Sequence, residues 1–462
     1  MWAAQACPDL PSNVRERYTM PTLGKLPSSN PLACKAQAFL HERQNGLHLC
    51  VNEQHVVGFR ADLQDAPNQG LGARWHSLMQ AIEWSVNQSD QGGVVLFDGP
   101  GNTGVPYLAR SRCITQSERC FFQDIDPCKR QHAAVADFAG VRFWGWNKPP
   151  LPRINSRERL GAHGTWLASV PAQFGSHSLL WWQSQIFLFF LQPRAHTQQL
   201  LDDWLAARHG MRTGNSAEPL VLSSWEALHP FVFMHVRWGD KCGLFGGNFE
   251  AACRPAKYYV AAAEGLRAKH NVSRLVLSSS SQEAFEAFPR MMPDWEIIWT
   301  GGQHIDLTVM KQANRTSRAR EDISGVGIVE LFIAAAADFL ICTPSSNWAR
   351  VIIRMAYGMY NRLPKMAFLD EWGWDNTLDF ETALEDGMFR RAIVQHTGYR
   401  TLGHGNGGDR PQTEANNCTA DCFRLPCDAV LFSWFNSNCS QLTATQLPSL
   451  RRDGLCMRPN RD

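Results

Sequence analysis

Between residues 226 and 365, apolar runs and helical periodicities alternate along the chain. Short β-branched, aliphatic and aromatic runs at 231–236, 274–278, 295–299 and 338–342 predict buried strands. Apolar residues at helical spacing predict helices at 255–269, 282–290, 325–336 and 347–359. Strands alternating with helices imply a parallel, doubly wound sheet. The first strand, Phe231-Val-Phe-Met-His-Val236, runs directly into Arg237-Trp-Gly-Asp-Lys241. Charged groups at the carboxyl end of a strand lie at the sheet edge where open α/β folds bind ligands. Arginine can hold a phosphate through two parallel hydrogen bonds, so this edge is expected to take a phosphorylated ligand.

Upstream the pattern is less regular. Gly70-Leu-Gly72 leads into a helical period from Ala73 to Trp84, and Gly93–Phe97 reads as a short strand. Leu179 to Trp204 reads as a helical region carrying Trp181, Trp182, Phe187 and Leu191. The expected organisation is a Pro- and Ser-rich leader at 1–30, poorly ordered, and an N-terminal α/β domain at 31–225. A Rossmann-like domain follows at 226–372, then a linker and Cys-rich tail at 373–462, with Gly403–Gly408 inside the linker. No internal repeat is evident.

Composition narrows the function classes. The 462 residues carry 45 Lys+Arg against 43 Asp+Glu, a net charge of +2, and no basic tract. Nucleic acid and anionic membranes are therefore poor partners. Of the 14 cysteines, eleven fall into two groups: Cys7, Cys34, Cys50, Cys113, Cys120 and Cys128 early, then Cys418, Cys422, Cys427, Cys439 and Cys456 in the tail. Such clustering suits disulfides in an oxidising compartment. The tail spacing would also allow zinc, but no His lies among those cysteines, which favours disulfides. Sequons at Asn87, Asn271, Asn314, Asn417 and Asn438 permit lumenal glycosylation. The N-terminus has no apolar core of the kind a signal peptide needs, and Leu179–Leu191 is interrupted by polar residues and too short to span a bilayer. Membrane attachment would need an anchor outside this chain.

Two motifs look informative and are weak. Gly99-Pro-Gly101-Asn-Thr-Gly104 matches the dinucleotide-binding glycine pattern, but an early Pro and little helical periodicity follow it. The pattern needs a helix starting on those glycines, so a nicotinamide-dependent oxidoreductase is not expected. Asp124-Ile-Asp126 has the form of a metal–nucleotide pair, yet it is enclosed by Cys120 and Cys128 and reads as structural.

Several segments, in sequence order, together identify a resemblance. His235-Val-Arg-Trp-Gly-Asp-Lys241 resembles the His-Val-Arg-Arg-Thr-Asp-Lys motif of the α1,6-fucosyltransferases, the group of the N-glycan core and rhizobial nodulation fucosyltransferases. Glu250-Ala-Ala-Cys-Arg-Pro…Tyr259 and Gly327–Asn347 match further segments of that family. Trp181-Trp-Gln-Ser-Gln185 and Gly70-Leu-Gly72…His76 have counterparts upstream, so the resemblance covers roughly 30–365. The chain departs from the family at Trp238 (the second arginine), Gly239 (threonine), Ser280 and Ser281 (paired aspartates) and Ala349 (the half-cystine expected to pair with Cys342). It also carries an insertion within Cys242–Phe249. No counterpart of the family's coiled coil or SH3-like domain is expected within these 462 residues.

The resemblance implies a two-domain, GT-B-like α/β glycosyltransferase with a Rossmann-like nucleotide-sugar domain in its C-terminal half. It implies an inverting, metal-independent transfer from GDP-fucose to a glycan or glycoprotein, without a cofactor, in the Golgi lumen or secretory pathway. It places Arg237 at the β-phosphate, with Ser346, Asn347, Asp240 and Tyr259 also toward the donor. Glu330 and His235 would face the guanine edge, because a carboxylate can accept from both guanine N1–H and the 2-amino group. Glu250 would be the general base, with Lys241 nearby to tune it. The departures leave a non-catalytic GDP-sugar- or glycan-binding relative as the alternative.

Overall fold

A computed structural model describes residues 30–45, 170–208 (without 176 and 178), 222–238, 254–300 and 325–369 (without 345 and 362), and the backbone of 317–324. It also describes the backbone of 57–60, 94–97 and 142–144, and single positions at 23, 121, 122 and between 72 and 86. The expected leader (1–30, apart from Leu23 and Asn30) and the expected tail (373–462) lie outside these residues.

In chain order the elements are α1 (Pro31–Asn45), β1 (Val57–Arg60), β2 (Val94–Phe97), β3 (Arg142–Trp144), α2 (Leu179–Phe190) and α3 (Ala195–Arg208). They continue as β4 (Val232–Val236), α4 (Ala256–His270), β5 (Arg274–Ser279), α5 (Gln282–Met291), β6 (Glu296–Trp299) and α6 (Ser317–Ala336). The last three are β7 (Phe339–Cys342), α7 (Asn347–Tyr360) and β8 (Lys365–Phe368). Described positions between 72 and 86 are helical.

Each half of the chain carries one parallel sheet, in keeping with a GT-B-like α/β fold. The first has the order β2-β1-β3. The second has the order β6-β5-β4-β7-β8, every pair parallel, as in a doubly wound Rossmann-like sheet. α4 and α5 pack on its strands, while α6 packs on α7 and α3, and α7 on α2. Every residue of β4 is buried, as a central strand covered on both faces requires.

The predicted strands and helices of 226–365 are all present, with two differences. α6 begins at Ser317 rather than 325, because its first two turns are polar and have no apolar stripe to announce them. β8 adds a fifth strand that the pattern did not signal. The helical region predicted from Leu179 to Trp204 is two helices. Pro193 cannot donate to a helical ladder; it pairs instead with Phe122, and Arg194 N–H and Thr197 Oγ1 donate to Phe121 O at 2.9 and 2.5 Å.

α2 is buried from Leu180 to Phe190 and α7 from Ala349 to Tyr360, so both are core helices, covered on every side. They approach closely where α7 lacks a side chain: a Cβ on Gly358 would lie 2.7 Å from Ser184 O. Arg354 of α7, fully buried in this seam, donates to Gln183 Oε1 at 3.1 and 2.7 Å and lies 3.0 Å from His76 Nε2. His76 Nδ1 lies 2.7 Å from Gly72 O. A carbonyl can only accept, so Nδ1 carries the proton and Nε2 is the acceptor for Arg354.

Candidate active site

The chain leaves β4 for β5 and β6 on one side and returns through α6 to β7 on the other. The carboxyl ends of β4 and β7 therefore flank the topological switch point, where open α/β sheets take their ligands.

A row of polar side chains crosses this edge. His235 of β4 and Ser278 of β5 are partners in the register. Thr300 follows β6 by one residue, and its N–H donates to Leu277 O at 3.2 Å, which extends the ladder by one rung. Parallel neighbours in register share a face, so these three side chains line up. α6 places Glu330 against them: Thr300 Oγ1 donates to Glu330 Oε1 at 2.5 Å, and the Ser278 hydroxyl bonds the same carboxyl group. Ser278 Oγ also lies 3.3 Å from His235 Nδ1.

Burial sets the charge states here. Glu330 is 8% exposed, and desolvation pushes its carboxyl up to about 7 against the pull of the Thr300 and Ser278 hydroxyls. His235 is 7% exposed, and desolvation, helped by the Arg237 cation, pushes its imidazole down to about 3. The ring is therefore neutral at physiological pH. Its Nε2 is buried with no hydrogen-bond partner among the described residues. A buried orphan nitrogen costs about 1–3 kcal/mol, which is tolerable where a ligand supplies the partner.

Arg237 lies two residues beyond His235, just past the end of β4. Its N–H donates to Tyr259 Oη at 3.3 Å, and its Nη1 donates to Trp238 O at 3.3 Å. Tyr259 itself is fully buried in an aromatic group with Trp238 and Phe288. The Tyr259 side chain thus lies in the core and meets the site through the Arg237 backbone. Trp238 turns inward as well, and its Nε1 donates to Arg254 O at 2.7 Å.

Across the switch point, Ser346 caps α7 with extended backbone and makes no side-chain cap hydrogen bond. The exposed first-turn amides of a helix, with its dipole, favour an anion at such an end. Thr343, fully buried between β7 and α7, has an Oγ1 with no partner among the described residues. Asn347 Oδ1 accepts from Arg350 Nη2 at 2.7 Å. Gly72 packs against this turn: a Cβ there would lie 3.0 Å from both Asn347 C and Trp348 N.

The structure thus brings together His235, Arg237 and Glu330 on one side of the switch point, and Ser346 and Asn347 on the other. Ser278 and Thr300, which hold Glu330, escaped the sequence reading. Both are polar residues at strand carboxyl ends, the same signal that singled out Arg237. Ser280, in place of an expected aspartate, donates to Trp238 O at 3.4 Å, and the neighbouring Ser279 donates to Val236 O at 2.9 Å. Asp240, Lys241 and Glu250 lie outside the described residues, as do Gly239, Asp124, Asp126 and the tail cysteines. Among the described residues, Cys34 is disulfide-bonded and Cys342 is a buried thiol. No three metal-ligating side chains cluster among them, and no described helix is long and apolar enough to cross a membrane.

No protein-family model matches the chain. Over 188 residues it is 27% identical to an α-(1,6)-fucosyltransferase of Drosophila melanogaster, an alignment covering 39% of this chain. The chain spans about a quarter of that relative's length (26%). Among solved structures it is similar to NodZ α-1,6-fucosyltransferase from Bradyrhizobium soaked with GDP-fucose, at 14% identity and TM-score 0.35, covering 68% of this chain and 94% of that one. It is also similar to Arabidopsis thaliana FUT1 in complex with GDP, at 12% identity and TM-score 0.36, covering 78% and 83%.

Proposed function

We propose that this chain, related in sequence to the α1,6-fucosyltransferases, transfers fucose from GDP-fucose to a glycan hydroxyl with inversion and without a metal. The carrying observation is the buried His235–Ser278–Thr300 row with Glu330 laid on it, next to Arg237 at the switch point. In this reading Glu330 and His235 meet the guanine edge. The diphosphate runs toward Arg237 and the α7 N-terminus, where Ser346 has a hydroxyl unspent on capping.

Breaking the bond between fucose and GDP leaves negative charge on the β-phosphate, and the sugar passes through an oxocarbenium-like state. Arg237 gains attraction as that charge grows, which is how a fixed cation lowers a barrier. Glu250 takes the proton of the attacking hydroxyl, with Lys241 beside it. The acceptor is a glycan or glycoprotein, and the family resemblance makes an N-glycan one acceptor to test. The site of action is the Golgi lumen or another secretory compartment, in keeping with the Cys34 disulfide and the exposed sequon at Asn271. We take 31–225 and 226–372 as the two domains.

Trp238 favours a second reading, a non-catalytic GDP-sugar-binding relative, because its indole is committed to the core where the family resemblance expects a cation. Incubation with GDP-fucose and a glycan array separates the two: transfer or hydrolysis supports the enzyme, and GDP binding without turnover supports the binding relative. Arg237→Ala should lower GDP affinity by about 2–5 kcal/mol and abolish turnover. Unchanged GDP affinity by titration calorimetry would remove Arg237 from the phosphate.

A further inference from the structure

Thr300 joins two parts of the molecule. Its hydroxyl donates to Glu330 Oε1, while its carbonyl accepts from Trp204 Nε1 at 2.9 Å and Arg208 Nη2 at 3.1 Å. Arg208 Nε also donates to Trp299 O at 2.8 Å, so the last turn of α3 grips two consecutive carbonyls at the end of β6. Trp204 is itself fixed, stacked on Trp225 with ring centroids 5.7 Å apart and under the Arg208 guanidinium at 4.6 Å. Thr300 is 1% exposed and cannot turn its hydroxyl to water.

We propose that Thr300, presented by Trp204 and Arg208, is a specificity-determining residue that orients the Glu330 carboxylate for a purine with two adjacent N–H donors. The proposal rests on the reading of Glu330 as the group that meets the base. An ionised carboxylate offers about four lone-pair sites. Thr300 and Ser278 occupy two of them. Two remain, the number needed by guanine N1–H and its 2-amino group. Adenine presents an acceptor at N1 and leaves one of those sites facing another lone pair. A glutamate side chain is flexible, and loss of the Thr300 donor would let the carboxylate swing away from the edge it reads. Thr300 Oγ1 also lies 3.3 Å from Leu277 O, so the same hydroxyl can rotate to a second acceptor when the carboxyl group takes up a proton. Trp204 and Arg208 do not touch the base; they are positioning residues acting through Thr300.

Titration calorimetry with GDP and with ADP on the full chain tests this. Thr300→Val keeps the shape and removes the hydroxyl; the ratio of GDP to ADP affinity should fall roughly tenfold or more, the scale of a hydrogen bond to a charged group. Thr300→Ser restores the hydroxyl and should keep the wild-type ratio. Trp204→Phe keeps most of the stacking and should lower the ratio in the same direction. If Thr300→Val keeps the wild-type ratio while Glu330→Ala loses it, Thr300 has no part in base selection and the inference falls alone. If Glu330→Ala also keeps the ratio, the base reading falls and takes this inference with it. Should Thr300→Val fail to fold, an unchanged ratio in Trp204→Phe overturns the inference.

Discussion

GDP affinity should rise with pH across neutrality, and Glu330 should be the cause. Its carboxyl sits at about 7, and only the ionised form accepts from both guanine donors. On that value the carboxylate is about one-tenth populated at pH 6 and about nine-tenths at pH 8. Apparent affinity scales with the competent fraction, so GDP should bind about tenfold tighter at pH 8, or about 1.4 kcal/mol. His235, at about 3, stays neutral throughout that range, and Arg208, at about 10, stays charged. Glu330→Gln removes the titration and shows whatever slope the terminal phosphate of GDP contributes. The same variant reads stability. Glu330 has a folded pKa raised from 4.5 to about 7, so its contribution is fully present below 4.5 and lost as pH rises through 7, about 3 kcal/mol in all. His235 has a depressed pKa, so its contribution is present above 6.5 and lost as pH falls toward 3. The two slopes oppose each other between 4.5 and 6.5, which makes wild-type melting alone a poor measure. The difference between wild type and Glu330→Gln isolates the carboxyl. A wild-type GDP affinity flat from pH 6 to 8, or an equal slope in Glu330→Gln, refutes the reasoning.

Four further outcomes are expected. Trp238→Phe removes the donor to Arg254 O while keeping most of the aromatic packing, and denaturant unfolding should show a loss of about 1 kcal/mol; no loss would mean the indole N–H holds nothing. Gly358→Ala should cost about 1–3 kcal/mol in the same assay, because Ser184 O occupies the space of the new methyl group; a neutral result would place α2 further from α7. Glu250→Gln should leave GDP affinity intact and lower the transfer rate by ~10²–10⁴-fold; near-normal turnover would move the base elsewhere, with Asp240 next in line. Transfer or GDP-fucose hydrolysis should survive excess EDTA, and full loss rescued by manganese would return Asp124 and Asp126 as ligand candidates.

The second sheet was legible because its three inner strands, β4, β5 and β7, each carry a short apolar run that stands out from the helical periodicity around it. β8 was not: Lys365-Met-Ala-Phe is only four residues long, and its pairing with β7 is what makes it a strand. The first turns of α6 were hidden because their sequence is polar and carries no apolar stripe. In the site, the charged members were visible. Arg237 and Glu330 are conspicuous in apolar surroundings, whereas Ser278 and Thr300 carry no charge and are given meaning by the register that sets them side by side. Trp238 shows the limit of motif matching. A motif records which residue is substituted, while the direction of the indole depends on Tyr259, Phe288 and the carbonyl of Arg254, which come together only in the fold.

Glycines touch α7 at both ends, Gly72 reaching it at Asn347–Trp348 and Gly358 belonging to the helix itself where it meets Ser184. Main chain meets main chain at each place, so no rotamer change can absorb an error in spacing. Recombination between this chain and a relative would therefore tolerate junctions in the surface loops but not a mismatch around these two positions. A chimera that imports a foreign segment around Ser184 opposite this α7 must bring a backbone that fits Gly358. One that imports a foreign α7 must bring a first turn that fits Gly72.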